Sequence, residues 1–118
     1  MAKIDNDVAV AFCAGKALKT SNTIVLENQA GVLLWGSCIA KRSPEREIAV
    51  VVDHCGYVTR TTLGRLHAIL QRYTDGRVGC GIRKGEAELR YSDGSTKPFN
   101  GAVTVYRNVS WIDGSEMA

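Results

Sequence analysis

The run Asp53-His54-Cys55 places a carboxylate, an imidazole and a thiol in consecutive positions. Those are the groups of a nucleophilic site in which histidine takes a proton from cysteine and a carboxylate orients the histidine. The spacing works against that chemistry. In extended backbone, neighbouring side chains leave on opposite sides, so Cys55 cannot readily use His54 as its base, whereas Asp53 and Cys55 share a side. The run is therefore read as a strand end and turn. The other histidine, His67, falls on an apolar helical stripe, where histidine is ordinarily a hydrogen-bonded core residue. A metal site would need both histidines and distant cysteine or carboxylate help. Cys13, Cys38, Cys55 and Cys80 are too widely spaced to supply the close ligand pairs of a structural zinc. No catalytic residue, metal or cofactor is expected from these patterns.

A second pattern is basic. Arg60, Arg65 and Arg72 surround one helix, Lys41 and Arg42 come from a strand, and Thr61 and Thr62 stand with Thr59 at the helix start, where free amides attract anions. Together Lys41, Arg42, Arg60, Thr61, Thr62, Arg65 and Arg72 form the candidate set for gripping phosphates of a nucleic acid, or an acidic partner. The plainer reading is a cap at Thr61 or Thr62 beside a solvated basic face. The net charge of +3 is a weak field that demands neither. Arg46, Arg77, Arg83 and Lys84 add to the basic character nearby. Gly76, Gly79, Gly81 and Gly85 do not make a phosphate-cradling loop and read as turns and bulges. Trp35 and Tyr57 each adjoin a glycine and are expected to be partly exposed, while Tyr91, Phe99 and Tyr106 suit a core face.

The elements that must position these groups follow from periodicity. Asp5-Asn6-Asp7 offers capping oxygens to a helix over about residues 5–14, with Val8 and Phe12 on one face and Gly15 as a left-handed stop. Thr23 to Glu27 and Val32 to Arg42 read as a hairpin about Asn28-Gln29-Ala30-Gly31, and Ser43-Pro44-Glu45-Arg46 as the next turn. Glu47 to Val52 is too continuously apolar to have one wet face, so it is expected to be central or covered by a helix. The clearest period runs over about 62–73, where Leu63, Leu66, His67, Leu70 and Tyr73 share a stripe and Arg65, Gln71 and Arg72 lie off it. Asp75-Gly76 ends that helix. Val78 to Lys84, Ala87 to Tyr91, Thr96 to Phe99 and Ala102 to Tyr106 read as short strands, with Gly85, Asp93-Gly94 and Asn100-Gly101 as hairpin turns. Residues 110–118 read as a polar tail open to fraying. The result is α+β: a short amino-terminal helix, a three-stranded antiparallel unit, one packed amphipathic helix, then carboxyl-terminal β-hairpins, all within a single domain of 118 residues.

Ala9-x-Ala11-Phe12, Ser21-Asn22-Thr23, Gly36-x-x-Ile39-Ala40-Lys41-Arg42 and Gly56-Tyr57-x-Thr59-x-Thr61-Thr62-x-x-Arg65-Leu66 occur in that order. This succession resembles a group of small bacteriophage and prophage proteins of unassigned function, over about residues 5–72. The chain departs from the group at His67, where asparagine is usual, and the glycine-rich stretch 74–118 lies outside the resemblance. The resemblance implies a viral origin and a host-cytoplasmic setting. It supplies no activity, cofactor or catalytic residue.

The expected function is accordingly that of a small non-enzymatic accessory protein that binds a host or viral protein, an anti-defence or host-takeover inhibitor being one concrete form. The alternatives are a nucleic-acid binder using the basic helix face, and a minor structural component of the virion. A reducing, cytosolic location fits unpaired cysteines and the acidic interruptions Asp5 and Asp7 near the amino terminus. No apolar run approaches the ~20 residues of a membrane span. An open sheet edge at Val103 to Tyr106 would allow a homodimer.

Overall fold

The computed structural model describes residues 3–44 and 48–107. Helix α1 spans Lys3–Cys13 and buries Val8 and Phe12, as the spacing predicts, together with Ala9; Asp5-Asn6-Asp7, expected as its cap, lies within it. Its end is a Schellman cap: Gly15, at φ 71°, donates its N–H to the Phe12 carbonyl, and Lys16 donates to that of Ala11.

Six strands then form one antiparallel sheet in the order β1-β2-β3-β4-β5-β9: β1 Leu18–Lys19, β2 Thr23–Val25, β3 Val32–Leu34, β4 Ser37–Arg42, β5 Ala49–Val52 and β9 Val103–Tyr106. A smaller antiparallel sheet holds β6 Val78–Arg83, β7 Glu86–Tyr91 and β8 Thr96–Pro98. Helix α2, Arg60–Tyr73, packs against α1 and β6 and reaches β4. Alternate side chains of the large sheet, among them Val25, Val32, Leu34, Val50, Val52 and Val105, join Phe12, Leu66, Ile69 and Leu70 in one core. The α+β class follows, with β5 internal as its apolar run requires.

Two sequence expectations change. The single strand expected over 32–42 is two strands, because Trp35 and Gly36 adopt φ 48° and 83° and Leu34 faces Ser37 across a two-residue turn. Such turns favour Asn, Asp or Gly first, and tryptophan gives no such signal. The Asn100-Gly101 pair is no hairpin turn: β8 and β9 belong to different sheets, and the chain between them carries the fully buried Phe99 from one to the other. Lys84-Gly85 and Asp93-Gly94 do connect paired neighbours, β6–β7 and β7–β8. The turn expected at Ser43 to Arg46 falls partly, and the tail 110–118 wholly, outside the described residues.

Candidate functional site

The junction from β5 into α2 shows where the Asp-His-Cys run goes. Asp53 Oδ1 accepts the Cys55 N–H at 2.8 Å, and Cys55 and Gly56 turn the chain at φ 56° and 81°. Both ring nitrogens of His54 are spent on backbone. Nε2 lies 2.8 Å from the Phe99 carbonyl, and Nδ1 accepts the Gly56 N–H at 3.1 Å. That pairing fixes the tautomer with its proton on Nε2. The ring also packs edge-on against Phe99, so His54 pins the β8–β9 crossover to the end of β5. The Cys55 thiol donates to the Cys38 carbonyl at 3.3 Å. Burial, then Asp53 and Cys38, push its pKa up, the reverse of what an activated nucleophile needs. Among the described residues no three of His, Cys, Asp and Glu gather as a metal site.

The helix start is capped by Thr59, not by Thr61 or Thr62. Thr59 is extended, at φ −126° and ψ 162°, and its Oγ1 accepts the Thr62 N–H at 3.2 Å. Thr62 is fully buried, with its hydroxyl against that of Thr59 at 3.2 Å, so it is closed to an outside anion. Thr61 is half-buried.

Arg65 departs furthest from expectation. Read from the sequence as an outward cation, it is buried. Its guanidinium donates Nη1–H to Asp5 Oδ1, Nε–H to Thr23 Oγ1 at 3.0 Å and Nη2–H to Asn22 Oδ1 at 3.0 Å. One planar fork thereby ties α2 to α1 and to the start of β2, the multidentate role that suits arginine. The helix surface admits the carboxylate because residue 64 is glycine: a Cβ there would stand 2.9 Å from Asp5 Oδ2.

The remaining members of the basic set do not converge. Arg60 and Arg72, both exposed, open and close α2, roughly 18 Å apart along an axis rising about 1.5 Å per residue. Lys41 and Arg42 are successive exposed residues of β4 and so leave on opposite sides. Arg42, Arg60 and Arg72 line three different hollows.

What the structure gathers instead is aromatic. Trp35 is 60% exposed and Tyr57 48% exposed. The Trp35 N–H is held by the Asn22 carbonyl at 2.9 Å, and Cys55 lies level with Cys38 at the start of β4. The Trp35-Gly36 turn and the Gly56-Tyr57 turn therefore share one end of the large sheet, near the start of α2. Ile24, on β2 beside that turn, is exposed as well. Exposure of both aromatics was legible from their glycine neighbours. The left-handed backbone of Trp35 was not.

A family model described as the Kyanoviridae Gp96 protein matches residues 1–108. The chain belongs to that family. It is a phage protein, and the Gp96 match covers residues 74–108 of the stretch that the motif resemblance leaves uncovered. No match was found among curated proteins or among solved structures. Within this Gp96-family chain the quoted motifs are fold positions that meet one another. Asn22 and Thr23 of the second receive the guanidinium of Arg65 from the last. No helix among the described residues is long and apolar enough to cross a membrane.

Proposed function

We propose that this Gp96-family protein is a non-enzymatic accessory factor of the phage, and that it binds a host or viral protein through the aromatic end of its large sheet. The observation that carries the reading is Trp35: a large apolar side chain, mostly exposed, at a position with φ 48°. Left-handed backbone costs a non-glycine residue roughly 1–2 kcal/mol. Asparagine or glycine would relieve that cost, and nothing in the core uses the indole. Exposed tryptophan and tyrosine are the side chains most often central to protein interfaces. The buried Arg65 and the scattered remaining cations support a protein partner over a phosphate backbone.

The test compares Trp35→Asn with wild type. The variant is expected to melt at the same temperature or higher, since the strain is gone. Affinity capture from infected cells should recover a partner with the wild-type protein and lose it with the variant. A partner recovered equally by both would overturn the reading.

A further inference from the structure

A second hollow lies away from the aromatic end, at the far end of α2. It is an open cleft of about 740 Å³ into which three arginines from separate segments turn: Arg72 from the last turn of α2, Arg77 from the α2–β6 turn and Arg107 after β9. Each is anchored by its backbone. Arg72 is helical, the Arg77 carbonyl accepts the Ser92 N–H at 3.0 Å, and the Arg107 N–H donates to the Ile48 carbonyl at 2.7 Å. The Arg107 guanidinium lies 5.1 Å from the centre of the Tyr73 ring, which holds it over the cleft. Among the described residues Asp75 is the one carboxylate in the lining, and none of the three guanidiniums makes an ion pair.

An ordinary reason for cations here would be the carbonyls at the end of α2, which attract positive charge. Three of the carbonyls at this end already have donors. The Leu70 carbonyl accepts the Thr74 N–H and hydroxyl at 2.9 and 2.7 Å, that of Gln71 accepts the Gly76 N–H at 2.7 Å, and that of Thr74 accepts the Arg77 N–H at 3.3 Å. The three guanidiniums line a concave space of ligand size, where among the described residues Asp75 is the single carboxylate against three like charges.

We infer that this cleft binds a small phosphate-bearing anion, with a diphosphate group as its best match. A carboxylate fills one guanidinium fork, whereas a diphosphate offers enough oxygens and charge for three. The cations that a polymer would also need, Lys41 and Arg60, lie outside the cleft, so a small molecule fits better than a nucleic acid.

The experiment is calorimetric titration of the full chain with inorganic pyrophosphate, orthophosphate and citrate at low ionic strength. Pyrophosphate should saturate one site and bind at least about ten-fold more tightly than the other two, and Arg77→Gln should weaken it about ten- to hundred-fold. Arg60→Gln, outside the cleft, should leave it unchanged. Thermal melts confirm that each variant folds, and Arg107→Gln gives a second cleft variant. Four results would overturn the assignment: no saturable binding at millimolar pyrophosphate, equal weakening by Arg60→Gln and Arg77→Gln, citrate binding as tightly as pyrophosphate, or a short single-stranded oligonucleotide outcompeting pyrophosphate.

Discussion

Replacing Arg65 with alanine decides between its two assignments. If Arg65 gripped an outside anion, its removal would spare the fold. The structure requires the reverse. Asp5 is buried, and Arg65 is its ion-pair partner, while Thr23 and Asn22 lose charge-assisted donors at 3.0 Å. Removing one partner of a buried pair costs about 3–5 kcal/mol, mainly because the other charge stays buried without compensation. The loss compares with a total stability of about 5–15 kcal/mol for a domain of this kind. Unfolding entropy of about 2.1 cal/mol/K per residue makes each kcal/mol worth roughly 4 °C at this length, so Tm should fall by roughly 12–20 °C. Urea melts of Arg65→Ala, Asp5→Leu and the two substitutions combined complete the assay. The double variant should lose much less than the two single losses added, because no charge is left alone. A loss below about 1 kcal/mol for Arg65→Ala, or strict additivity in the double variant, would refute the reasoning.

Alanine normally stabilises a helix over glycine by about 1 kcal/mol, but Gly64→Ala should destabilise by about 1–3 kcal/mol, since its Cβ would meet the fixed Asp5 carboxylate; a higher midpoint in urea would contradict this. Gly79→Ala should cost about as much, with its Cβ 2.6 Å from the His67 ring, while Gly81→Ala meets only the end of the long, half-exposed Arg90 side chain and should stay within about 0.5 kcal/mol by the same melts. Thr59→Ala should cost about 1 kcal/mol and Thr61→Ala less than half of that, as circular dichroism melts would show. Burial first, and then Arg90, hold the His67 pKa below its ordinary 6.5, so the folded protein favours the neutral ring. Its contribution is intact above about pH 6.5 and is lost as pH falls below that, because the unfolded chain takes up the proton first. Urea midpoints should therefore drop more between pH 7.5 and 5.5 for wild type than for His67→Asn, whose amide oxygen can still accept the Cys80 N–H.

Most of the fold was legible because its signals are local. The Leu63, Leu66, Leu70 stripe, the Gly15 stop and the apolar β5 run each state their structure within a few residues, and the structure has them. The errors are of a different kind. Arg65 looked like a surface cation because its three acceptors, Asp5, Asn22 and Thr23, lie far away in the chain and no periodicity connects them. Asn100-Gly101 carries a hairpin signature, but tertiary pairing of β9 with β5 overrides it. Gly79 and Gly81 read as turn residues and instead give room to His67 from α2 and to Arg90 from β7. The aromatic end was half visible, since flanking glycines marked exposure, while the strain at Trp35 belongs to backbone geometry alone.

The reach of the Arg65 fork has a consequence for the order in which the molecule can be made. Synthesis delivers Asp5 60 positions ahead of the guanidinium that compensates it. The neighbour that completes the pairing of β5 on its other side, β9, comes later still. A nascent chain that has emerged as far as β5 thus holds a helix whose carboxylate has no partner and a strand edge with nothing to pair. Contacts so distant in sequence favour late, concerted closure over piecewise growth from the amino terminus. During that interval the apolar β5 run and its open edge are exposed to other chains, which makes the crowded translation period of an infection the stage at which this small protein is most vulnerable.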